Sequence, residues 1–372
     1  MDHILIGVSI AFIVTFYAIP VIIRVSDIKK LYDEPDERKI HSNPIPSLGG
    51  LGIYAGFLLA ILIASPEQSS ELQYYIAASF VIFFLGLKDD ILILSPIKKF
   101  LGQLMAAFII IYKGGVQITS MHGFLGIQQL PEFFSLALTY FTVIVVINSF
   151  NLIDGVDGLA GSLGVFTSAA FGLYFLNVGH LMLAVMGFSL AGSLAAFLIF
   201  NYSPAKIFMG DTGAMLIGLV NAILVIKFIN AADDPNITMP LIAAPAIGFA
   251  ILMVPLFDTL RVFGIRILYR RSPFSPDRNH IHHLLLDRGL THSMVTFSIV
   301  IANVIFAAVA YFFRYVGSTW LIFGMVSTGF SVISILFYTR PRPKLFAASD
   351  DKEEKETKVI PFIKPKAVVN NE

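Results

Sequence analysis

The sequence has no cysteine. That excludes disulfides and thiolate metal ligands, and it removes any reading of redox compartment. Charge is scarce too. Asp, Glu, Lys and Arg make up 14% of the 372 residues, against about 25% in a soluble domain. No basic segment precedes the first apolar run, which begins near His3, and no small-residue cleavage site follows it. This run is expected to be a retained span and not a signal peptide. No stretch shows the roughly ten-residue polar–apolar alternation of a barrel strand. The net charge of +1 offers no electrostatic reason to bind nucleic acid.

What remains is hydrocarbon. Hydrophobic residues reach 56%, and Phe alone occurs 34 times. Apolar runs of roughly 17–25 residues, the length that crosses a bilayer, recur along most of the chain. They predict an all-α, polytopic membrane protein with about eleven spans, at 3–23, 48–65, 72–88, 100–113, 133–149, 159–177, 181–200, 213–230, 239–260, 295–314 and 319–338. The fourth is the shortest. With eleven spans, alternate loops share a side. The loops at 24–47, 88–99, 150–158, 201–212 and 261–294, together with the tail after 338, hold 23 of the 26 Lys and Arg residues. Basic residues collect in the cytoplasm, so the N-terminus is expected outside and the C-terminus inside. Residues 1–340 read as one membrane-embedded domain. Residues 341–372, mixing acids and lysines with little apolar content, read as a disordered cytoplasmic tail.

Five polar clusters all fall on the basic side. "DERKIHSNPIPSLGG" carries Arg38, Lys39 and His41. It is either a positive anchor with a turn or a clamp for an anionic headgroup. "GLKDDILILSPIKKF" places Asp89 and Asp90 at the end of a span, followed by Lys99 and Gln103. Adjacent helical residues point about 100° apart, so the two acids need not serve one ligand. They read as a solvated helix end, or as carboxylates that handle protons or orient a metal beside a phosphate. "NSFNLIDGVDGLAG" spaces Asn151, Asp154 and Asp157 at i, i+3 and i+6. These form one polar stripe if the segment is helical, and the interleaved Gly155, Gly158 and Gly161 permit close approach. The loop spacing of an EF-hand is missing.

"NYSPAKIFMGDTG" sets Asp211 between Gly210 and Gly213 where a span begins. An N-cap would explain it. So would Mg²⁺, which takes one or two carboxylates together with phosphate oxygens. "SPFSPDRNHIHHLLLDRG" holds Arg278, His280, His282 and His283. Zinc is disfavoured, because cysteine is absent and adjacent His282 and His283 cannot easily face one ion from a helix. Donors to a diphosphate fit better. Acids suited to Mg²⁺, bases suited to phosphate and a membrane scaffold together imply phosphoryl chemistry at the membrane surface. A transporter of an organic anion is the rival class, but it would show charged span centres, and these are nearly charge-free.

In order, these five segments resemble the motifs of the polyprenyl-phosphate N-acetylhexosamine-1-phosphate transferases, and the resemblance spans roughly residues 1–340. It implies transfer of a sugar-1-phosphate from a UDP-sugar to undecaprenyl phosphate with release of UMP, as the first membrane step of cell-envelope polysaccharide synthesis. It also implies Mg²⁺ (or Mn²⁺) as cofactor, a site open to the cytoplasm, a location in the inner (plasma) membrane and, among partners, a second copy of the chain. Asp211, with Asp154, corresponds to the metal-binding acids. Asp89, Asp90, Asp154 and Asp157 correspond to the catalytic acids, and Lys99 to the lipid-phosphate motif. Asn151 lies in the stripe near the nucleotide. Asn201 and Phe208 match positions that bind uridine, with Phe208 stacking on the base. The His280–His283 segment and Arg278 match the sugar-nucleotide loop, and Lys39 and His41 the first motif. His-Ile-His-His is similar to the branch that uses UDP-GlcNAc, and eleven spans suit that branch as well. The phospho-N-acetylmuramoyl-pentapeptide branch, the alternative, typically carries three consecutive histidines.

Overall fold

The structure is a computed structural model that describes residues 1–31, 45–66, 70–232, 241–270 and 279–339. Lys39, His41, Arg278 and the tail from 341 lie outside the described residues. Each apolar run becomes helix, because a backbone in hydrocarbon must satisfy its own polar groups. The α-helices are α1 (Asp2–Lys29), α2 (Gly49–Ala64), α3 (Leu72–Ile91), α4 (Pro96–Tyr112), α5 (Glu132–Ile153), α6 (Leu159–Asn177), α7 (Leu181–Asn201) and α8 (Gly210–Ala231). They continue with α9 (Ala244–Ile251), α10 (Met253–Leu268), α11 (Ile281–Leu286), α12 (His292–Phe312) and α13 (Ser318–Tyr338). Among the described residues one antiparallel bridge, Ser120 to Gln129, lies between α4 and α5.

By length and composition, seven of the described helices can cross a membrane: α1, α5, α6, α7, α8, α12 and α13. The count is eight if α9 and α10 form one broken span. The chain is therefore a polytopic helical membrane protein. Helices α2 and α4, at 16 and 17 residues, are shorter, and α3 ends in Lys88-Asp89-Asp90. Two expected loop residues lie on helices instead. Pro96 opens α4 at its first turn, which puts Lys99 on the helix. Likewise α8 begins at Gly210, so Asp211 is helical.

Helix α8 is the axis of the bundle. The apolar window of α8 is 89% buried, whereas those of α1 and α13 are 22% buried. A helix apolar all round belongs inside, and α3, α5, α6 and α2 pack against it. Small residues let these helices approach, as membrane packing requires. Gly86 on α3 is the clearest case. A Cβ there would stand 2.5 Å from Thr212 Cα and 2.7 Å from Thr212 N, both backbone atoms of α8.

Helices α9 and α10 meet at 84° around Leu252. Such a break frees backbone groups inside the bundle, and they need partners. Asn303 of α12, fully buried, supplies both. Its Nδ2 donates to the Ile251 carbonyl at 2.7 Å, and its Oδ1 accepts from Val254 N–H at 2.8 Å. The break directs α10 beneath the loop that carries the histidines.

Candidate active site

The acids of three motifs converge where α3 ends and α8 begins. Asp90 reaches across from α3 to cap α8. Its Oδ1 accepts from Asp211 N–H at 2.7 Å, and its Oδ2 accepts from the N–H and hydroxyl of Thr212 at 3.2 and 2.5 Å. A carboxylate there satisfies orphan donors and opposes the positive end of the helix dipole. The capping role open to Asp211 thus belongs to Asp90, and the Asp211 side chain is directed elsewhere.

Asp211 Oδ2 meets Lys99 Nζ at 2.5 Å, and Asn151 Nδ2 donates to the same oxygen at 3.4 Å. Lys99 also pairs with Asp89, whose other oxygen takes Leu94 N–H at 2.6 Å. Asp89 and Asp90 therefore diverge, as their adjacency on a helix requires. Lys99 bridges α3 and α8 from the first turn of α4. One turn further into the bundle, the buried Gln103 exchanges amide hydrogen bonds with Asn148 of α5.

The expected stripe of Asn151, Asp154 and Asp157 is not continuous. Helix α5 ends at Ile153, and Asp154 leaves helical geometry with ψ 50°. Asn151 and Asp154 stay with the acidic group. Asp157 turns the other way and is buried. It accepts from Ala205 N–H at 3.3 Å and pairs with His292 Nδ1 at 3.3 Å. Burial, and then the negative charges of Asp211, Asp90 and Asp157, push the Asp154 carboxyl up to about 7. Among the described residues a single lysine, Lys99, faces these acids and does not balance them.

Asn201 is buried, and its amide serves the backbone. Oδ1 accepts from Gly158 N–H and Nδ2 donates to the Ile207 carbonyl, both at 2.9 Å. It joins the loop after α5 to the loop after α7. Phe208 is held by its main chain, which bonds Pro46 and Gly49 at 2.8 and 2.9 Å. Its ring remains half-buried.

The histidine loop packs onto the acidic loop. The His280 and His282 rings are parallel, with centroids 5.7 Å apart, and His283 tilts against His282 at 4.3 Å. His282 lies over Gly155, where a Cβ would collide with its ring. This contact joins the two motifs and explains that glycine. Burial, then the neighbouring His283, hold His282 down to about 3, against the pull of Asp258. It is neutral at physiological pH. Beneath the loop, Asp258 pairs with Arg261 at 2.8 Å and with His280 Nδ1 at 2.8 Å.

Asp258, Arg261 and His292 were absent from the sequence candidates. The first two are charges three residues apart in an otherwise apolar run, "VPLFDTLRVF", which is the signal that marks a functional intramembrane group. His292 closes the histidine segment, but nothing local links it to Asp157.

The donor set fits Mg²⁺. It consists of hard carboxylate oxygens, chiefly Asp211 and Asp154, with excess negative charge. Among the described residues no three His, Asp or Glu side chains converge as a dedicated metal cage.

Comparison with known proteins adds an independent line. Residues 72–229 match the family described as Glycosyl transferase family 4. The chain is 32% identical to the probable undecaprenyl-phosphate N-acetylglucosaminyl 1-phosphate transferase of Bacillus subtilis, over 82% of this chain and 85% of that one. It is 33% identical to the decaprenyl-phosphate N-acetylglucosaminephosphotransferase of Mycobacterium leprae, over 78% of each. It is 30% identical to the undecaprenyl-phosphate alpha-N-acetylglucosaminyl 1-phosphate transferase of Escherichia coli K12, over 77% of each.

Proposed function

The chain belongs to the glycosyl transferase family 4 of polyprenyl-phosphate sugar-1-phosphate transferases, and from that premise we propose that it moves GlcNAc-1-phosphate from UDP-GlcNAc to undecaprenyl phosphate. The named relatives act on polyprenyl phosphates and N-acetylglucosamine phosphate, which favours this donor over the pentapeptide substrate and over transport. The observation that carries the chemistry is the Lys99 ammonium set between Asp89 and Asp211, beside the uncompensated Asp154.

The lipid phosphate is a monoester with a second pKa near 6, largely dianionic at pH 7. It needs no strong base to become a nucleophile. One of its oxygens attacks the β-phosphorus of the sugar nucleotide and forms a new P–O bond. The bond from that phosphorus to the bridging oxygen breaks, and UMP departs with the electron pair. Two anions must meet, so positioned positive charge does most of the work. Lys99 attracts the lipid phosphate, and Asp89 holds Lys99 or accepts the residual proton of a monoanion. Asp90 already receives three hydrogen bonds from α8. That commitment argues against Asp90 as a covalent nucleophile; the two-step alternative to direct attack would use Asp89. Asp211 and Asp154 are the residues that would hold Mg²⁺, whose charge would screen the diphosphate and stabilise the developing negative charge on UMP. The eleven-span reading goes beyond the seven or eight described helices long and apolar enough to cross, and it rests on the eleven apolar runs, each of which carries a helix or the α9–α10 pair. The basic bias puts the site at the cytoplasmic face of the inner (plasma) membrane.

The test is UMP release by purified protein with a panel of UDP-sugars. Release is expected with UDP-GlcNAc only when undecaprenyl phosphate is present, and Asp211→Asn should lower it by at least about 100-fold, the scale for losing one preorganised charge stabiliser. Transfer from UDP-MurNAc-pentapeptide alone would reverse the choice of sugar. Wild-type rates in Asp211→Asn at saturating Mg²⁺ would remove the metal role.

A further inference from the structure

Asp258 and Arg261 stand one helical turn apart on α10, 2% and 8% exposed respectively. A buried ion pair is a poor source of stability, because desolvation offsets its attraction. Its geometry indicates another use. The pair grips three successive residues of the histidine loop. Arg261 Nη2 donates to the Asn279 carbonyl and to Asp258 Oδ1 at 2.8 Å. Asp258 Oδ1 also accepts from Ile281 N–H at 3.0 Å. Asp258 Oδ2 contacts His280 Nδ1 at 2.8 Å.

The first and third of these grips anchor backbone and would serve any residue at position 280. The contact to His280 does something different. A carboxylate shared with Arg261 accepts and does not donate, so the proton of His280 sits on Nδ1. Nε2 is the ring nitrogen left for another partner. The plane of the ring is set from its other side by the parallel stack on His282, which in turn rests on Gly155 beside Asp154.

We infer that Asp258 is a positioning residue for phosphoryl transfer: by holding the Nδ1 proton of His280, it fixes the tautomer in which Nε2 is a hydrogen-bond acceptor, open to a hydroxyl of the sugar nucleotide. This inference rests on the reaction proposed above and identifies how α10, outside the recognised motifs, takes part in it. Arg261 fixes the carboxylate and the loop backbone but does not choose the tautomer.

The test has two arms. In the ligand-free protein, ¹⁵N spectra of the histidines, with His280 assigned through His280→Asn, should show Nδ1–H in the wild type and its loss in Asp258→Asn. Arg261→Gln, which keeps the carboxylate, should retain the Nδ1–H signal even where it loosens Asn279. An unchanged tautomer in Asp258→Asn overturns the inference whether or not the chain turns over UDP-GlcNAc. The kinetic arm is a double-mutant cycle. Asp258→Asn should lower kcat by about 10-fold or more, the scale for losing a partner that orients a functional histidine, while KM for UDP-GlcNAc moves by less than about threefold. Placed on His280→Asn, the same change should cost less than about twofold. A full loss in that background would make Asp258 a loop anchor only, and would overturn the positioning role.

Discussion

At the scale of single residues, the site works by dividing its acids among different tasks. Asp90 caps a helix, Asp89 holds a lysine, Asp157 engages His292, and Asp211 faces both Lys99 and Asn151. Among the described residues Asp154 has no counter-charge of its own, and it carries the cost. Its carboxyl is raised from 3.8 to about 7 by burial and by its acidic neighbours. The sign follows from linkage. Between those two values the folded protein binds a proton that the unfolded chain has released, so stability falls as pH rises through this window and stays low above it. Asp154→Asn removes that penalty. In metal-free protein, thermal unfolding in detergent should show Asp154→Asn melting about 1–2 °C above wild type at pH 8, the shift expected for roughly 1 kcal/mol in a chain of this length, and close to wild type near pH 4. An equal difference at both values would show that Asp154 is not strained by charge. The same variant should lose transfer, because the acid that destabilises the metal-free fold is the one assigned to the cation.

At the scale of elements, the site exists because α3 lies against the start of α8, and Gly86 makes that approach possible. A methyl there meets Thr212 backbone, which cannot swing away. Gly86→Ala should cost about 1–3 kcal/mol of stability, as overpacking does, and should cut UMP release by moving Asp90 off its cap. Gly324→Ala, whose added Cβ meets nothing within 4 Å on α13, is the control and should leave both unchanged. Equal melting of the two variants would show that the α3–α8 contact is not tight. The helices themselves were legible, since long apolar runs have few other solutions in a membrane. Their starts were less so. The first turns of α4 and α8 are polar, so Lys99 and Asp211 looked like loop residues when hydropathy alone drew the boundary. The broken span at Leu252 was hidden because its partner, Asn303, lies some fifty residues away in the chain. The grouping of Asp89, Asp154, Asp211 and Lys99 could be expected from motif resemblance. The backbone-binding amide of Asn201 could not, because the loops it joins meet only in the folded chain.

At the scale of the whole molecule, the same facts bear on orientation. Asp211 opens α8 and Lys227 lies sixteen residues on, about 24 Å along the axis at 1.5 Å per residue. The acidic site and the Lys227–Glu71 pair therefore stand near opposite ends of the central helix. Donor sugar nucleotides are cytoplasmic, so the Asp211 end must face inward if the proposed reaction holds. The basic bias of the loops leads independently to the same expectation. The absence of cysteine makes this direct to test, because any thiol introduced is the only one in the chain. Gln128→Cys, exposed between α4 and α5, should react with a membrane-impermeant maleimide on intact cells. Ser349→Cys, in the tail beyond Arg340, should react only after the membrane is opened. The reverse pattern would put the acids outside, away from any UDP-sugar, and would sink the orientation together with the reaction that depends on it. Labelling of both positions from outside would instead place the termini on the same side, and would replace eleven spans with an even number.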